Sequence, residues 1–302
     1  MVSLLTLVVC LFIGLGLRHV KSIPENTPST LGTLILYVPL PAVCLLSIPF
    51  LEWNASLISL TLVTWIIFGV SFGFFNFLGQ KFQWEKSLIG SLILTAGFCN
   101  SAFVGFPVIE ALFGKEALKH AIFLDQSGSF LIVSSLGIWV ALTYSSGKIK
   151  KRLLVKKVIF FPPFVAFLLS LILGALGWRP SGMTKEILER LAGILTPMAL
   201  ISVGLQLRLD AIKSELRYLS LGLFYKLLLA PGLIFILYFL FGVEKKIFNI
   251  SVIEAGMAPM ITSSILAMTH NLRPRLAGVM LGVGVPLSFF TLSFWYWLIS
   301  YF

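Results

Sequence analysis

Two apolar segments of this sequence carry clusters of polar and helix-breaking residues whose types and spacing could do chemistry. The first cluster, FCNSAFVGFPVIEALFG at 98–114, contains Asn100, Ser101, Gly105 and Pro107. Proline cannot donate a backbone hydrogen bond and its ring clashes with the preceding helical turn, while glycine lowers helix preference. These residues therefore predict a helix that breaks near its middle, with Gly105 and Pro107 at the break.

The second cluster, IEAGMAPMITSSILA at 253–267, repeats this combination, and Gly256 and Pro259 are predicted to break the helix there. Freed amides and carbonyls in hydrocarbon cost several kcal/mol each unless protein, ion or water satisfies them. Half-helix N-termini suit a carboxylate and half-helix C-termini suit a cation, so a polar site is predicted where the two breaks meet. The alternative is that the prolines only kink the helices for packing.

Side chains around the two breaks would supply hydrogen bonds to a bound molecule. The candidates are Asn100, Ser101, Thr262, Ser263 and Ser264.

Charged residues inside apolar segments narrow the site further, because a charge at the centre of a membrane helix costs about 3 kcal/mol. Glu254 lies deep in its segment and is the candidate ligand for Na⁺ or a proton, with a purely structural acid as the alternative. Asp125, beside Gln126, is a second candidate for ion coupling. The roles of Glu110, which lies nearer an aqueous end, and Lys226 stay open.

The elements that must position these residues are membrane helices. Hydrophobic residues make up 58% of the chain and charged residues 12%, as in polytopic membrane proteins. A span with its loop uses roughly 25 to 30 residues, which predicts an all-α protein of about ten spans. The predicted spans are 2–17, 31–50, 56–79, 87–113, 117–145, 158–177, 187–206, 218–241, 247–270 and 276–301.

The basic residues lie almost entirely in loops, so the net charge of +11 indicates topology and not nucleic-acid binding. Lys and Arg concentrate in alternate loops, namely 18–30, 80–86, 146–157, 207–217 and 271–275. Because such loops face the cytoplasm, both termini are expected on the outer side of the cell (inner) membrane. The run KIKKRLLVKK at 148–157 is interpreted as a topology anchor, with a lipid or regulator site as the alternative.

The chain also contains a weak internal repeat. The aligned segments are VCLFIGLGL (9–17) with LSLILGALG (169–177), and PAVCLLSI (41–48) with PMALISVG (197–204). Pro107 aligns with Pro259. Each half would hold five spans, an odd number, so the second copy must be inverted, a device typical of transporters. The predicted organisation is a first repeat at 1–145, a cytoplasmic linker at 146–157 and a second repeat at 158–302.

At these residues the sequence resembles the auxin efflux carrier family of plant hormone exporters and bacterial organic acid transporters. The pattern Asn-Ser-x-x-x-Gly-x-Pro at 100–107 resembles the fourth-span signature of that family, and LTPMALISVGLQL (195–207) resembles its seventh span. HNLRPRLAGVMLGVGVPLSFF (270–290) is similar to the closing segment, and Lys226 with Pro231 is similar to the eighth span.

The resemblance implies a ten-span fold shared with bile acid sodium symporters, often in a homodimer. Spans 1, 2, 6 and 7 would form a scaffold, and spans 3–5 and 8–10 a moving transport domain with broken, crossing helices 4 and 9. Asn100, Pro107 and Pro259 would flank substrate, with Asp125 and Gln126 nearby.

One departure from the family bears on coupling. Glu254 stands where plant carriers have an uncharged polar residue, whereas bile acid symporters place a sodium-liganding glutamate at a similar point.

The expected function is secondary active transport of a small organic anion by elevator-type alternating access, with Na⁺ or H⁺ as the coupling ion and no other cofactor. One alternative is an uncoupled uniporter with Glu254 permanently protonated, and another is a channel or ligand-sensing receptor. An enzyme is not expected, because the chain has only three histidines, lacks H-E-x-x-H, and gives Asp125 no second intramembrane aspartate.

Overall fold

The computed structural model describes residues 2–24, 26–52, 54, 56–145, 162–206 and 212–302. These residues are mostly helical and include no β-strand, and an isolated antiparallel bridge between Cys99 and Pro259 is their one extended pairing. The all-α prediction is confirmed for them. The predicted linker 146–157 and its basic run lie outside the described residues.

The helices begin and end close to the predicted spans. In the first half they are α1 (Val2–Leu17), α2 (Thr27–Tyr37), α3 (Pro39–Ser47), α4 (Ser56–Lys81), α5 (Lys86–Ala96), α6 (Phe106–Phe113), α7 (Leu118–Leu124) and α8 (Ile138–Tyr144). In the second half they are α9 (Pro162–Ala175), α10 (Gly182–Gly193), α11 (Leu195–Gln206), α12 (Ile212–Phe224), α13 (Ala230–Leu240), α14 (Lys245–Ala255), α15 (Ile261–Thr269) and α16 (Pro274–Ile299).

Short π-helical turns join several of these helices, at Ser101–Gly105, Asp125–Phe130, Val133–Gly137 and Tyr225–Leu229. Such turns widen a helix and free backbone groups locally, and they are frequent at functional sites.

Six described helical segments are long and apolar enough to cross a membrane. They are Thr27–Phe50, Leu57–Lys81, Lys115–Tyr144, Gly182–Leu205, Ile212–Leu240 and Pro274–Ile299. Shorter apolar helices are Thr6–Leu17, Lys86–Ala96, Ser101–Phe113 and Pro162–Ala175. The full count of ten spans and the inversion of the second repeat stay predictions.

The surface of the protein is apolar where a water-soluble protein would be polar. Exposed side chains include Phe12, Leu176, Phe241 and Phe290, while many serines are fully buried. This distribution is expected for helices whose outer faces contact lipid.

One compact unit comprises Met1–Asn54, Ala102–Gln126 and Lys151–Gln206. In it α1 crosses α11 where Gly14 meets Gly204, since a Cβ on Gly14 would lie 2.4 Å from the Ile201 carbonyl oxygen and 2.9 Å from the Gly204 Cα. In the same unit a Cβ on Gly174 of α9 would lie 2.9 Å from the Cα of Pro49. The internal repeat aligns Gly14 with Gly174, so the aligned glycines make corresponding close contacts.

The other unit comprises Ala55–Ser101, Ser127–Lys150 and Leu207–Phe302. Buried aromatic side chains hold its helices by hydrogen bonds to backbone carbonyls. The Tyr225 hydroxyl donates to the Ile67 carbonyl at 2.7 Å, and the Trp295 Nε1 donates to the Leu227 carbonyl at 2.9 Å. Leu227 lies in a π-helical turn, where carbonyls are freed from the usual helical pairing.

Candidate functional site

Two interrupted helices lie side by side in the second unit. Helix α5 ends at Ala96, and α14 ends at Ala255. Between them Cys99 and Pro259 form the antiparallel bridge, and the Asn100 amide donates to the Ala258 carbonyl at 3.0 Å. We call the segments 97–100 and 256–260 the paired breaks. Backbone groups that the interruptions free thus bond to one another, which is how a broken helix is tolerated inside a membrane protein.

The position of the first break differs from the prediction, which placed it at Gly105 and Pro107. The structure interrupts the helix at 97–100, and Gly105 and Pro107 lie in the helical turns that follow. Pro107 is the second residue of α6 and directly follows the π-helical turn Ser101–Gly105, and this widened turn accommodates a residue that cannot donate to the preceding turn. The second break, 256–260, begins at the C-cap residue Gly256 and contains Pro259.

Pro259 is fixed by a close contact with α16. A Cβ on Gly284 would lie 2.6 Å from Pro259 Cδ, so only a residue without a side chain fits at that point of α16. The ring of Pro259 therefore packs directly on the backbone of a continuous helix.

Two predicted substrate residues at the first break carry hydrogen-bonding atoms without a protein partner. Asn100 and Ser101 are 1% and 0% exposed. The Asn100 Nδ2 and the Ser101 Oγ have no hydrogen-bond partner among the described residues. Buried polar atoms are normally satisfied, so this pair of donors is a feature that a bound anion would explain.

The predicted residues after the second break behave differently. Thr262 is exposed. The hydroxyls of Ser263 and Ser264 both donate to the Met260 carbonyl, at 3.2 and 2.8 Å. These serines are thus engaged within their own helical turn.

Two charged residues are fully buried next to the paired breaks. Glu254, the candidate ion ligand, lies in the last turn of α14 at 0% exposure. Lys226, also at 0% exposure, donates from Nζ to the Ala255 carbonyl at 2.8 Å and to the Cys99 Sγ at 3.1 Å. The sequence analysis left the role of Lys226 open. The predicted spans did not indicate that Lys226 lies beside the paired breaks, because its contacts there are with residues far away in the sequence.

The remaining predicted polar residues lie in the first unit. Asp125 and Gln126 are 3% and 2% exposed, and the Gln126 Nε2 donates to Asp125 Oδ2 at 2.8 Å. Asp125 Oδ1 and Gln126 Oε1 have no hydrogen-bond partner among the described residues. Both are acceptors, so this pair suits a cation, a proton or a hydroxyl donor.

A cavity of about 530 Å³ opens within the first unit, a volume in the range of small-molecule sites. Of the predicted substrate residues it includes Pro107, and Glu110 also lines it. Further lining residues, which the sequence did not assign to a site, include Phe50, Lys119, Leu195, Thr196 and Pro197. Residues 195–197 belong to the LTPMALISVGLQL motif, and this motif was the feature of the sequence that could have pointed to them as site residues.

Charges at this cavity largely pair with each other. Lys119 lies 3.7 Å from Glu116, and Lys185 lies 3.9 Å from Glu189. The Lys119 Nζ also donates to the Phe50 carbonyl at 3.0 Å. The cavity is therefore lined by apolar side chains together with equal numbers of acidic and basic ones.

No group of three His, Cys, Asp or Glu side chains that could hold a metal ion occurs in the part of the chain that the structure describes. This concerns sites built from those side chains, whereas a sodium site would draw mainly on backbone and carboxylate oxygens.

Comparison with known proteins decides the family. Residues 1–296 match the profile of the family described as membrane transport protein. The chain belongs to this family, that of the auxin efflux carriers. The resemblance found in the sequence is thereby confirmed over nearly the whole chain, and membership in a transporter family agrees with the expectation that the protein is not an enzyme.

Two relatives match this chain along almost their whole length. An uncharacterized transporter of Methanothermobacter thermautotrophicus is 28% identical over 295 residues, covering 97% of this chain and 96% of the relative. An uncharacterized transporter of Methanocaldococcus jannaschii is 24% identical over 303 residues, covering 98% of this chain and 97% of the relative.

Proposed function

We propose that this member of the membrane transport protein family is a secondary active transporter of a small organic anion, a carboxylate of the auxin or dicarboxylate kind. The observation that carries the proposal is the pair of buried donors at the first break, Asn100 Nδ2 and Ser101 Oγ, which lack protein partners among the described residues. A carboxylate accepts hydrogen bonds from such donors, and hydrogen bonds to a charged group contribute about 1.5–3 kcal/mol each.

Elevator-type alternating access is the proposed mode of movement, with spans 1, 2, 6 and 7 as scaffold and spans 3–5 and 8–10 as transport domain. Two observations support it. The aligned glycines Gly14 and Gly174 make corresponding contacts in one unit, and the paired breaks lie together in the other. Such features are expected of inverted repeats, which exchange conformations around a fixed site.

Coupling to Na⁺ or H⁺ through Glu254 or Asp125 is part of the proposal, because both acids are buried where a charged carboxylate is costly. An uncoupled uniporter with Glu254 protonated is the alternative within the same class.

The protein would work as a homodimer in the cell (inner) membrane, with both termini on the outer side. A channel or receptor is less favoured, and large single-channel currents in planar bilayers would replace the transporter proposal.

Uptake into proteoliposomes tests the function. Vesicles containing the purified protein are offered radiolabelled malonate, malate or indole-3-acetate, and protein-free vesicles give the background. Replacing Asn100 or Ser101 with Ala should lower uptake about tenfold or more, since each removes one donor to the carboxylate.

Ser91→Ala is the matched control. Ser91 is also fully buried in this unit and its Oγ also lacks a hydrogen-bond partner among the described residues, but it lies within the intact part of α5. It should transport like the wild type. Equal losses in Ser91→Ala and Ser101→Ala, or unchanged uptake in Asn100→Ala, would contradict the proposed site.

A further inference from the structure

Lys226 is a buried cation that the proposed transport cycle does not yet use. Its side chain is 0% exposed and belongs to the π-helical turn Tyr225–Leu229 between α12 and α13. Hydrogen bonds from Tyr225 to the Ile67 carbonyl and from Trp295 to the Leu227 carbonyl fix this turn on both sides of the lysine. A buried ammonium group is costly unless it is paired and hydrogen-bonded, so its partners reveal its role.

The first partner of Lys226 is the end of a helix. Nζ donates to the carbonyl of Ala255, the last residue of α14, at 2.8 Å. Carbonyls in the last turn of a helix lack intrahelical partners and carry the negative end of the helix dipole. In a broken membrane helix such carbonyls are the groups that coordinate a bound cation.

The second partner lies on the other break. Nζ is 3.1 Å from the Sγ of Cys99, whose backbone pairs with Pro259. Cys99 Sγ is in turn 3.9 Å from the Ala255 carbonyl oxygen. One ammonium group therefore joins the end of α14 to the segment that follows α5, at a place where the C-terminal end of a helix would attract a positive ion.

We propose that Lys226 is the resident cation of the paired breaks, a positioning residue that occupies the place of a bound metal ion. Its ammonium neutralises the partial negative charge at the C-terminal end of α14. It also holds the two broken segments in register throughout the transport cycle. The consequence for transport rests on the proposed function and narrows its coupling: Glu254, one residue before Ala255, would not bind sodium, because a positive charge is already built in there. Coupling would then use a proton at Glu254 or an ion at Asp125.

Thermal unfolding in two salts tests this role on the purified full-length protein, whose seven tryptophans report unfolding. The Tm is measured in NaCl and in choline chloride at equal ionic strength for the wild type, Glu254→Gln and Lys226→Ala. The wild type and Glu254→Gln should show the same sodium response. Lys226→Ala should melt lower in choline chloride and recover by about 2 °C or more in NaCl, since sodium can occupy the vacated carbonyl site.

Lys119→Ala is the matched control, because Lys119 also donates from Nζ to a backbone carbonyl, that of Phe50, but in the first unit. It should show no sodium-specific recovery. A sodium-specific rise in the wild type that Glu254→Gln abolishes would overturn the proposal, and this comparison stands even where Lys226→Ala does not fold. A folded Lys226→Ala without sodium recovery would overturn it as well, since a merely structural lysine gives that result.

The melting experiment and the uptake assay test the role of Lys226 and the proposed function separately. The sodium responses are measured without substrate, so they decide the role of Lys226 whatever the uptake assay returns. Absence of organic anion uptake in both salts would contradict the proposed function while leaving the sodium comparison intact.

Discussion

At the scale of single residues, the buried pair Asp125 and Gln126 shows how a polar group is held inside an apolar unit. The carboxylate takes one hydrogen bond from its sequence neighbour, at 2.8 Å, and keeps Oδ1 without a partner among the described residues. Sequence alone could single out both residues, because polar side chains in an apolar segment stand out. It could not predict that the glutamine amide would be used by the aspartate instead of pointing to a substrate.

A double-mutant cycle measures this pair. Gln126→Leu should lower the free energy of unfolding by about 1.5–3 kcal/mol, because it removes the donor to a buried carboxylate. The same change in an Asp125→Asn background should cost only about 0.5–1.5 kcal/mol, the value of a neutral hydrogen bond. Unfolding followed by intrinsic fluorescence checks both values, and an equal cost in the two backgrounds would contradict the pairing.

At the scale of elements, the helix breaks show which local rules decide the structure. Both helices are interrupted, but the first break lies at 97–100 and not at Gly105 and Pro107. The reason is that the π-helical turn before Pro107 accommodates the proline within a helix, whereas the Ala258 carbonyl accepts a hydrogen bond from the Asn100 amide at the break. That partner lies far along the chain, so it was invisible to local reasoning. The same holds for the contact of Lys226 with Ala255.

The packing of Pro259 on α16 gives a test at this scale. Gly284→Ala would place a Cβ 2.6 Å from Pro259 Cδ, and such overpacking should cost about 1–3 kcal/mol of stability. Gly278→Ala in the same helix meets no atom within 4 Å and should be neutral or stabilising by up to about 1 kcal/mol. Comparison of the two Tm values checks the contact, which would be contradicted if both variants melted alike.

At the scale of the whole molecule, length and composition were enough to predict an all-helical membrane protein, and the motifs were enough to predict its family. Charge placement in the loops predicts the orientation of the chain in the membrane, because Lys and Arg are retained on the cytoplasmic side. The cavity of the first unit could not be predicted from the sequence. It is built from residues of four separate stretches, and no periodicity of the sequence reveals how these stretches pack.

Fusions at the C-terminus test the orientation. With Phe302 on the outer side, alkaline phosphatase attached there should be active in a bacterial host and green fluorescent protein should stay dark. Both reporters attached within the basic loop 146–157 should give the opposite pattern. Fluorescence of the C-terminal fusion would mean that the loop charges had been assigned to the wrong side.

The pairing of Asn100 with Ala258 has a consequence for how such a protein can change. The hydrogen bond joins an amide to a carbonyl, so it does not depend on which side chain either residue carries. If Asn100 and Ser101 hold the substrate as proposed, substitutions there would alter which molecule is held without separating the two segments, provided that the new side chains fit. The substrate specificity of such a chain could change through a few point mutations, in evolution or by protein engineering.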